Sequence, residues 1–401
     1  MPIGGQVAII GVGKTKFGEN FDQRFSDMVV DAAFQAYADA GISPDEVDAG
    51  WLGTAFAYTF SDEGNAGASL AEPLGLYPKP VSRVANYCAT GMDAARHAAM
   101  AVAAGECEIA LVVGAEKMRD VGPRQSLLAQ HVERGHPVYA KGRTAPGMFG
   151  LIANRYKHLF VDPRPAMTAV ALKNHYNGSL NPFAHFQKPL TEQEVLKAPL
   201  VSGALRLYDC CPTTDGAAAM ILCSIDRAKA LRPHDYVVIQ ALELASTTGY
   251  FSAQYDLNND FLGFSATRAA ARKAYEVAGV RSAAAEVRVA EVHDCFTVTE
   301  VINYEDLGFC EKGEGHRFVL DGRANIDGTN PFNTSGGLQS CGHPIGATGA
   351  RVMVDVVEQI RGQAGRRQVR DPVLGLCHTL GGPGSVACVG LLSEKDWRGR
   401  R

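Results

Sequence analysis

Val81-Ser82-Arg83-Val84-Ala85-Asn86-Tyr87-Cys88-Ala89-Thr90-Gly91-Met92 passes from a short strand-like stretch into alanine, threonine and glycine, with a cysteine at the junction. The spacing predicts a strand over Val81–Ala85, a small-residue helix from about Cys88 to Ala104, and a buried strand over Ile109–Val113. Upstream, Val7-Ala8-Ile9-Ile10 is an apolar run closed by Gly11 and Gly13, which predicts a strand ending in a tight turn. A helical pattern follows from about Ser26 to Ala40, then a strand around Trp51–Phe56 and a helix near Gly67–Leu74. Strands alternating with helices at this pitch predict the α/β class, with a mostly parallel sheet covered on both faces.

Downstream the rhythm breaks. From about Arg119 to Ala204 the chain is polar, aromatic and proline-containing, as in Gly135-His136-Pro137-Val138-Tyr139 and Asn181-Pro182-Phe183-Ala184-His185-Phe186. That is too long for a bare loop, so 119–204 is expected to be an inserted lid or substrate domain. Core-strand character returns at Asp215–Leu222. A second set of elements follows: a strand at Tyr236–Ile239, a helix near Ala266–Val277, a strand at Val287–Val292, helices after Phe296 and Gly346, and strands around Val373–Leu376 and Val386–Leu392. Ala89-Thr90-Gly91 and Ala347-Thr348-Gly349 each open a small-residue helix followed by an apolar strand. This echo predicts duplication of one α/β unit, with halves 1–118 plus 205–233 and 234–401.

Composition narrows the function. The chain has 401 residues, 46% hydrophobic and 20% charged, with 39 basic against 43 acidic side chains, a net charge of −4. No basic excess is available for nucleic acid or an anionic bilayer. No apolar run is long enough to span a membrane, and the first residues lack a secretory pattern, so a cytoplasmic location is expected. The ten cysteines show no C-x-x-C pair, which predicts reduced thiols and no metal frame. Gly11-Val12-Gly13-Lys14-Thr15 resembles a phosphate loop, but Ala8 and Lys16 stand where the full patterns need glycine.

Three segments carry chemistry. Most free cysteines are small buried hydrophobes, but Cys88 is placed at a predicted helix N-terminus, where unpaired N–H groups and the dipole favour the thiolate. In Ser340-Cys341-Gly342-His343-Pro344-Ile345-Gly346-Ala347-Thr348-Gly349, a histidine sits in a glycine-rich turn where backbone can approach a ligand. His343 is thus a candidate base for Cys88. Val292-His293-Asp294-Cys295-Phe296 ends an apolar strand, the edge where parallel sheets place ligands.

These motifs, in this order across nearly the whole chain, resemble the thiolases, and among them the sterol-carrier-protein type. Cys88 is similar to the family's acyl-accepting cysteine, and Gly342–Gly349 to its histidine motif. His293-Asp294-Cys295-Phe296 and Cys211-Pro212-Thr213-Thr214-Asp215-Gly216 resemble the sterol-carrier branch. The resemblance implies a layered αβαβα core of two halves with an inserted loop domain. It implies thiolysis of a 3-ketoacyl-CoA, or the reverse condensation, through a Cys88 acyl-enzyme. Many thiolases carry a second catalytic cysteine near the C-terminus. In Cys377-His378-Thr379-Leu380-Gly381-Gly382-Pro383-Gly384 that position falls on His378, as it falls on a histidine in the sterol-carrier branch. The resemblance to that branch implies that Cys295, the cysteine of the His-Asp-Cys-Phe motif, is the acid/base, with Cys377 in reserve.

The same resemblance places oxyanion donors near His293 and His343, at the Cys88 N–H and in the 380–382 turn. Gly342, Gly381 and Gly382 are then substrate-contact positions, and Met148 and Phe149 line the acyl-CoA channel. No cofactor is implied, coenzyme A being a substrate. A homodimer or homotetramer is implied, and some relatives work beside a small OB-fold, zinc-ribbon protein. A retro-aldolase or C-acyltransferase on the same scaffold, and a non-catalytic acyl-CoA- or lipid-binding subunit, are the alternatives.

Overall fold

Strand β1 (Val7–Lys14) is buried along its whole length, and its side chains feed two cores: Val7 and Ile9 face one, Ala8 and Ile10 the other. This is the period-2 alternation of a strand covered on both faces. The computed structural model describes residues 3–61, 63–122, 125–126, 144–247, 262–382 and 384–397. The remaining strands are β2 (Ala49–Gly53), β3 (Val81–Val84), β4 (Ile109–Glu116), β5 (Leu200–Ser202), β6 (Leu205–Arg206), β7 (Gly216–Ser224), β8 (Val237–Ser246), β9 (Val289–Glu291), β10 (Leu374–Gly381) and β11 (Val386–Glu394). Nine form one sheet in the order β3-β2-β4-β7-β1-β8-β11-β10-β9, and β5 and β6 make a separate ribbon.

The order displays the duplication. Outward from the β1–β8 seam, one side runs β1, β7, β4, β2, β3 and the other β8, β11, β10, β9. In each half the first strand sits at the seam and the last strand lies beside it. The expectation of mostly parallel pairing is corrected. Only β2–β3, β2–β4 and β9–β10 pair in parallel, because β7 and β11 run against the other strands of their halves and each is wedged between neighbours that share a direction. Local alternation of strand and helix reveals crossovers; it misses β7, inserted from far along the chain, and β11, reversed by the short turn that follows β10.

Helices complete the layers. Thr90–Ala104 and Ile345–Ile360, each preceding an equivalent strand, share one core between the two halves. They approach closely where the echoed glycines meet: a Cβ on Gly91 would lie 2.5 Å from the Ala350 nitrogen, and one on Gly349 2.3 Å from the Met92 nitrogen. Phe25–Ala40 covers the outer face of the first half, and Ser265–Ala278 that of the second. The predicted turn at Gly11 and Gly13 is absent. β1 continues to Lys14, whose ammonium is buried against Asp355 and Glu358, 2.7 Å from each.

Within 119–204, Gly135–Tyr139 lies outside the described residues. The helices Ala145–Leu159 and Arg164–Ser179 pack on the second half, against Thr297–Asp306. Asn181–Phe186 docks on the segment leading to His343: the N–H groups of Phe186 and His185 donate to the carbonyls of Ser340 and Cys341, at 2.9 and 3.1 Å. No helix among the described residues is long and apolar enough to cross a membrane.

Candidate active site

Cys88 sits one residue before the cap of the Thr90–Ala104 helix. The preceding Tyr87 adopts φ 46°, a region that non-glycine residues rarely occupy, and so turns the chain sharply between β3 and the helix. Thr90 holds the turn: its hydroxyl accepts from the Asn86 N–H (2.7 Å) and donates to the Tyr87 carbonyl (2.5 Å). Cys88, half-buried as a residue, lines a cavity of about 210 Å³ together with His293, Cys295, His343, Cys211 and Gly382. The Cys88 sulfur and a ring nitrogen from each of His293 and His343 lie within 4.8 Å of one another. Three groups more than 200 positions apart in part of the sequence therefore converge on one pocket.

His343 is presented by a turn in which Gly342 takes φ 108° and abuts Thr214, while residue 343 bridges to Thr213. Its Nδ1 lies 2.7 Å from the Thr348 hydroxyl, which donates its own proton to the Pro344 carbonyl at 2.9 Å. With the hydroxyl proton assigned to that carbonyl, Thr348 accepts from Nδ1–H, an assignment that leaves the lone pair on Nε2. The imidazole is thereby fixed in the tautomer a base requires.

The electrostatics correct one expectation. Burial pushes the Cys88 thiol up to about 12; the N–H groups of Gly382 and of Cys88 itself pull it down and the charge of Glu116 raises it, but desolvation prevails over the helix terminus. Burial, reinforced by the Arg351 charge, lowers His343 to about 3. The resting pair is a neutral thiol beside a neutral imidazole. Cys295 is buried too, its thiol raised well above the usual range by desolvation and next by Cys88. Its sulfur lies 3.8 Å from the Thr299 hydroxyl.

Asp294 ties the two motifs together. Its carboxylate accepts from the N–H groups of Leu338 (2.6 Å) and Gln339 (3.3 Å) on the way to His343, and from the Asn174 amide (2.8 Å) of the 119–204 segment. Burial, then the neighbouring Glu300 charge, raises it to about 8.

The other sequence candidates divide. Met148 and Phe149 line the cavity, and Phe149 stacks on Phe296 with ring centres 4.6 Å apart. Gly382 reaches the cavity; Gly342 and Gly381 lie behind its wall. At Gly381 a Cβ would stand 2.9 Å from the Tyr87 Cβ, so this glycine lets the β10–β11 turn close on Cys88. His378 is off the cavity because alternation along β10 turns it to the outer layer, where Nε2 meets the Thr267 hydroxyl at 3.0 Å. Cys377 points the opposite way into the middle core, its sulfur 3.6 Å from the Val352 carbonyl, which removes it as the reserve acid/base.

Two residues at the site were given no role by the sequence reading, although Cys211 stands in one of its motifs. Cys211 lines the cavity and donates its N–H to the Cys295 carbonyl at 3.0 Å. Glu116, the buried last residue of β4, accepts from the N–H groups of Ala55, Phe56 and Gly346 and from the Thr54 hydroxyl, at 2.9 to 3.1 Å. A carboxylate ending an apolar strand was a visible signal; the Cys211 contact had no local signature.

The family descriptions "Thiolase, N-terminal domain" and "Thiolase C-terminal domain-like" match residues 7–226 and 249–394. The chain belongs to the thiolase family. It is 38% identical to an acetyl-CoA acetyltransferase of Methanothermobacter thermautotrophicus, covering 97% of this chain and 99% of that one. It is 32% identical to sterol carrier protein 2 of Bos taurus, over 96% of this chain and 72% of the relative. Among solved structures, the Ltp2-ChsH2(DUF35) aldolase superposes with a TM-score of 0.83 at 25% identity, covering 99% of this thiolase-family chain and 100% of the aldolase chain.

Proposed function

We propose that this chain is an acyl-CoA C-acyltransferase that cleaves a 3-ketoacyl-CoA with CoA, or runs the reverse condensation, through a thioester on Cys88. The observation that carries the reading is the convergence of the Cys88 sulfur with the rings of His293 and His343 in a cavity that Cys295 also lines. In the cleavage direction His343 Nε2 takes the Cys88 proton as sulfur attacks the 3-keto carbon. The C2–C3 bond breaks, leaving the shortened acyl group on Cys88. Its electron pair stays on C2 as the carbanion of an acyl-CoA, and Cys295 supplies the proton that quenches it. A second CoA thiol then gives its proton to the Cys295 thiolate and its sulfur takes the acyl group as the bond to Cys88 breaks, and the Cys88 sulfur recovers its proton from His343.

Oxyanion positions are available for both halves of the reaction. The N–H groups of Cys88 and Gly382 already address the Cys88 sulfur, which supports their use by an oxygen on the carbon bound there. We assign the thioester oxygen to His293 and to His343, whose Nε2 becomes a donor once it holds the Cys88 proton, and losing one such donor typically costs about 100- to 1000-fold. Phe56, Met118, Met148, Phe149, Phe296 and Ile345 make an apolar wall suited to the acyl chain.

Assembly as a homodimer or homotetramer fits the outer edge of β3, which pairs only with β2 among the described strands. The DUF35 component named with the aldolase supports a small partner protein. That aldolase also supports a second reading, carbon–carbon cleavage without a thiol acceptor. Substrate and stoichiometry separate them: a retro-aldol cleaves a 3-hydroxyacyl-CoA to an aldehyde or ketone and an acyl-CoA with no thiol acceptor, whereas thiolysis of a 3-ketoacyl-CoA consumes one free CoA per cleavage. Cleavage of 3-hydroxyacyl-CoAs without CoA, together with no CoA-dependent cleavage of any 3-ketoacyl-CoA in a panel, would overturn the acyl-transfer reading.

A further inference from the structure

We propose that Cys88, His293 and His343 form a capture site for a thiophilic divalent cation, zinc being the chemical match, in which bound metal and acylated Cys88 exclude each other. One thiol sulfur and two imidazole nitrogens within 4.8 Å of one another are the three protein ligands of an open tetrahedral site. Zinc with Zn–S of about 2.3 Å and Zn–N of about 2.0–2.1 Å sets ligand atoms roughly 3.3–3.6 Å apart, so the triad must draw in by at most about 1.5 Å.

His293 has a ring nitrogen with no bond to give up: the residue is 1% exposed and its Nδ1 has no partner among the described residues. A buried, unpartnered imidazole facing a cavity is costly unless something else satisfies it. His343 already has the outer support common to metal-bound histidines, since Nδ1–H is held by Thr348 and Nε2 remains free. The two rings meet edge to face at 5.1 Å, leaving their nitrogens clear of stacking. The cavity gives access and room for water as a fourth ligand.

On binding, the Cys88 S–H bond breaks, its proton leaves to solvent, and the S–Zn bond forms; the neutral imidazoles donate lone pairs, and no electron is transferred. The loss of acyl transfer that follows rests on the proposed function, whereas the binding does not, so each fails separately.

Equilibrium dialysis of the full chain against zinc chloride tests the site. One ion per chain is expected, and Cys88→Ala or His293→Ala should weaken binding by more than about 100-fold, since even outer-sphere partners contribute about 10- to 100-fold. Cobalt chloride should give a thiolate-to-cobalt absorption band that disappears in Cys88→Ala. In the unmutated chain, zinc should block alkylation of Cys88 by iodoacetamide, a readout that needs no variant to fold. Alkylation of Cys88 undiminished at saturating zinc, or zinc affinity unchanged in a folded Cys88→Ala chain, would overturn the proposal.

Discussion

Thr348→Val removes the hydroxyl that fixes the His343 tautomer while keeping a β-branched side chain in the buried first turn of the Ile345–Ile360 helix. The hydroxyl accepts from Nδ1–H at 2.7 Å because its own proton is committed to Pro344. Valine leaves a buried N–H without an acceptor, at about 1–3 kcal/mol. The imidazole recovers part of that by turning, or by moving its proton to Nε2, and either response takes the lone pair away from Cys88. If the loss falls on the transition state, 1.36 kcal/mol per factor of ten gives a fall in kcat of about 5- to 150-fold. Single-turnover acylation of Cys88, followed by stopped flow, isolates the step. Thr348→Ser keeps the oxygen and should recover most of the rate, which a purely structural role of the methyl group would not produce. A kcat for Thr348→Val within twofold of the unmutated enzyme, or serine as damaging as valine, would refute the tautomer argument.

Cys295→Ala should still accept an acyl group on Cys88 yet lose exchange of the acetyl-CoA α-proton with deuterated water; Cys377→Ala, altered only in the core, should exchange normally. Glu116→Gln removes a charge that raises the Cys88 thiol, so its apparent pKa, read from iodoacetamide rate against pH, should fall. Misfit of the new amide NH₂ with the surrounding N–H donors should cost about 1–3 kcal/mol for each one left unmatched, read by urea unfolding. Burial lowers His378 to about 3, so the neutral form is the folded one. The stability this contributes is complete above the ordinary histidine value near 6.5 and is lost as pH falls toward 3, at about 1.4 kcal/mol per pH unit. His378→Gln should show a correspondingly shallower loss between pH 6 and 4 in urea unfolding.

What was legible was local. Cys88, His293, Cys295 and His343 stand in short motifs at strand ends and helix starts, and the Ala-Thr-Gly echo revealed the two halves because it marks equivalent helices that touch through Gly91 and Gly349. The reversal of β11 follows from the short glycine-rich turn after β10, whereas the direction of β7 was not legible, since it reaches its place between β1 and β4 from distant sequence. Nor was the balance at Cys88: the helix terminus could be read from spacing, but the desolvation that outweighs it depends on walls brought by Phe56, Phe149 and Phe296. The face of β10 that separates His378 from Cys377 became clear only once register placed Thr267 on one side and Val352 on the other.

The central claim is that the Cys88 sulfur carries the acyl group. Rapid acid quench after mixing with acetoacetyl-CoA in the absence of free CoA, followed by peptide mass mapping, tests it directly. An acetyl mass increment on the peptide containing Cys88, removed by adding CoA and absent in Cys88→Ala, is predicted. Turnover with Cys88 unmodified at every quench time, or the increment on Cys211 or Cys295 instead, would contradict the account.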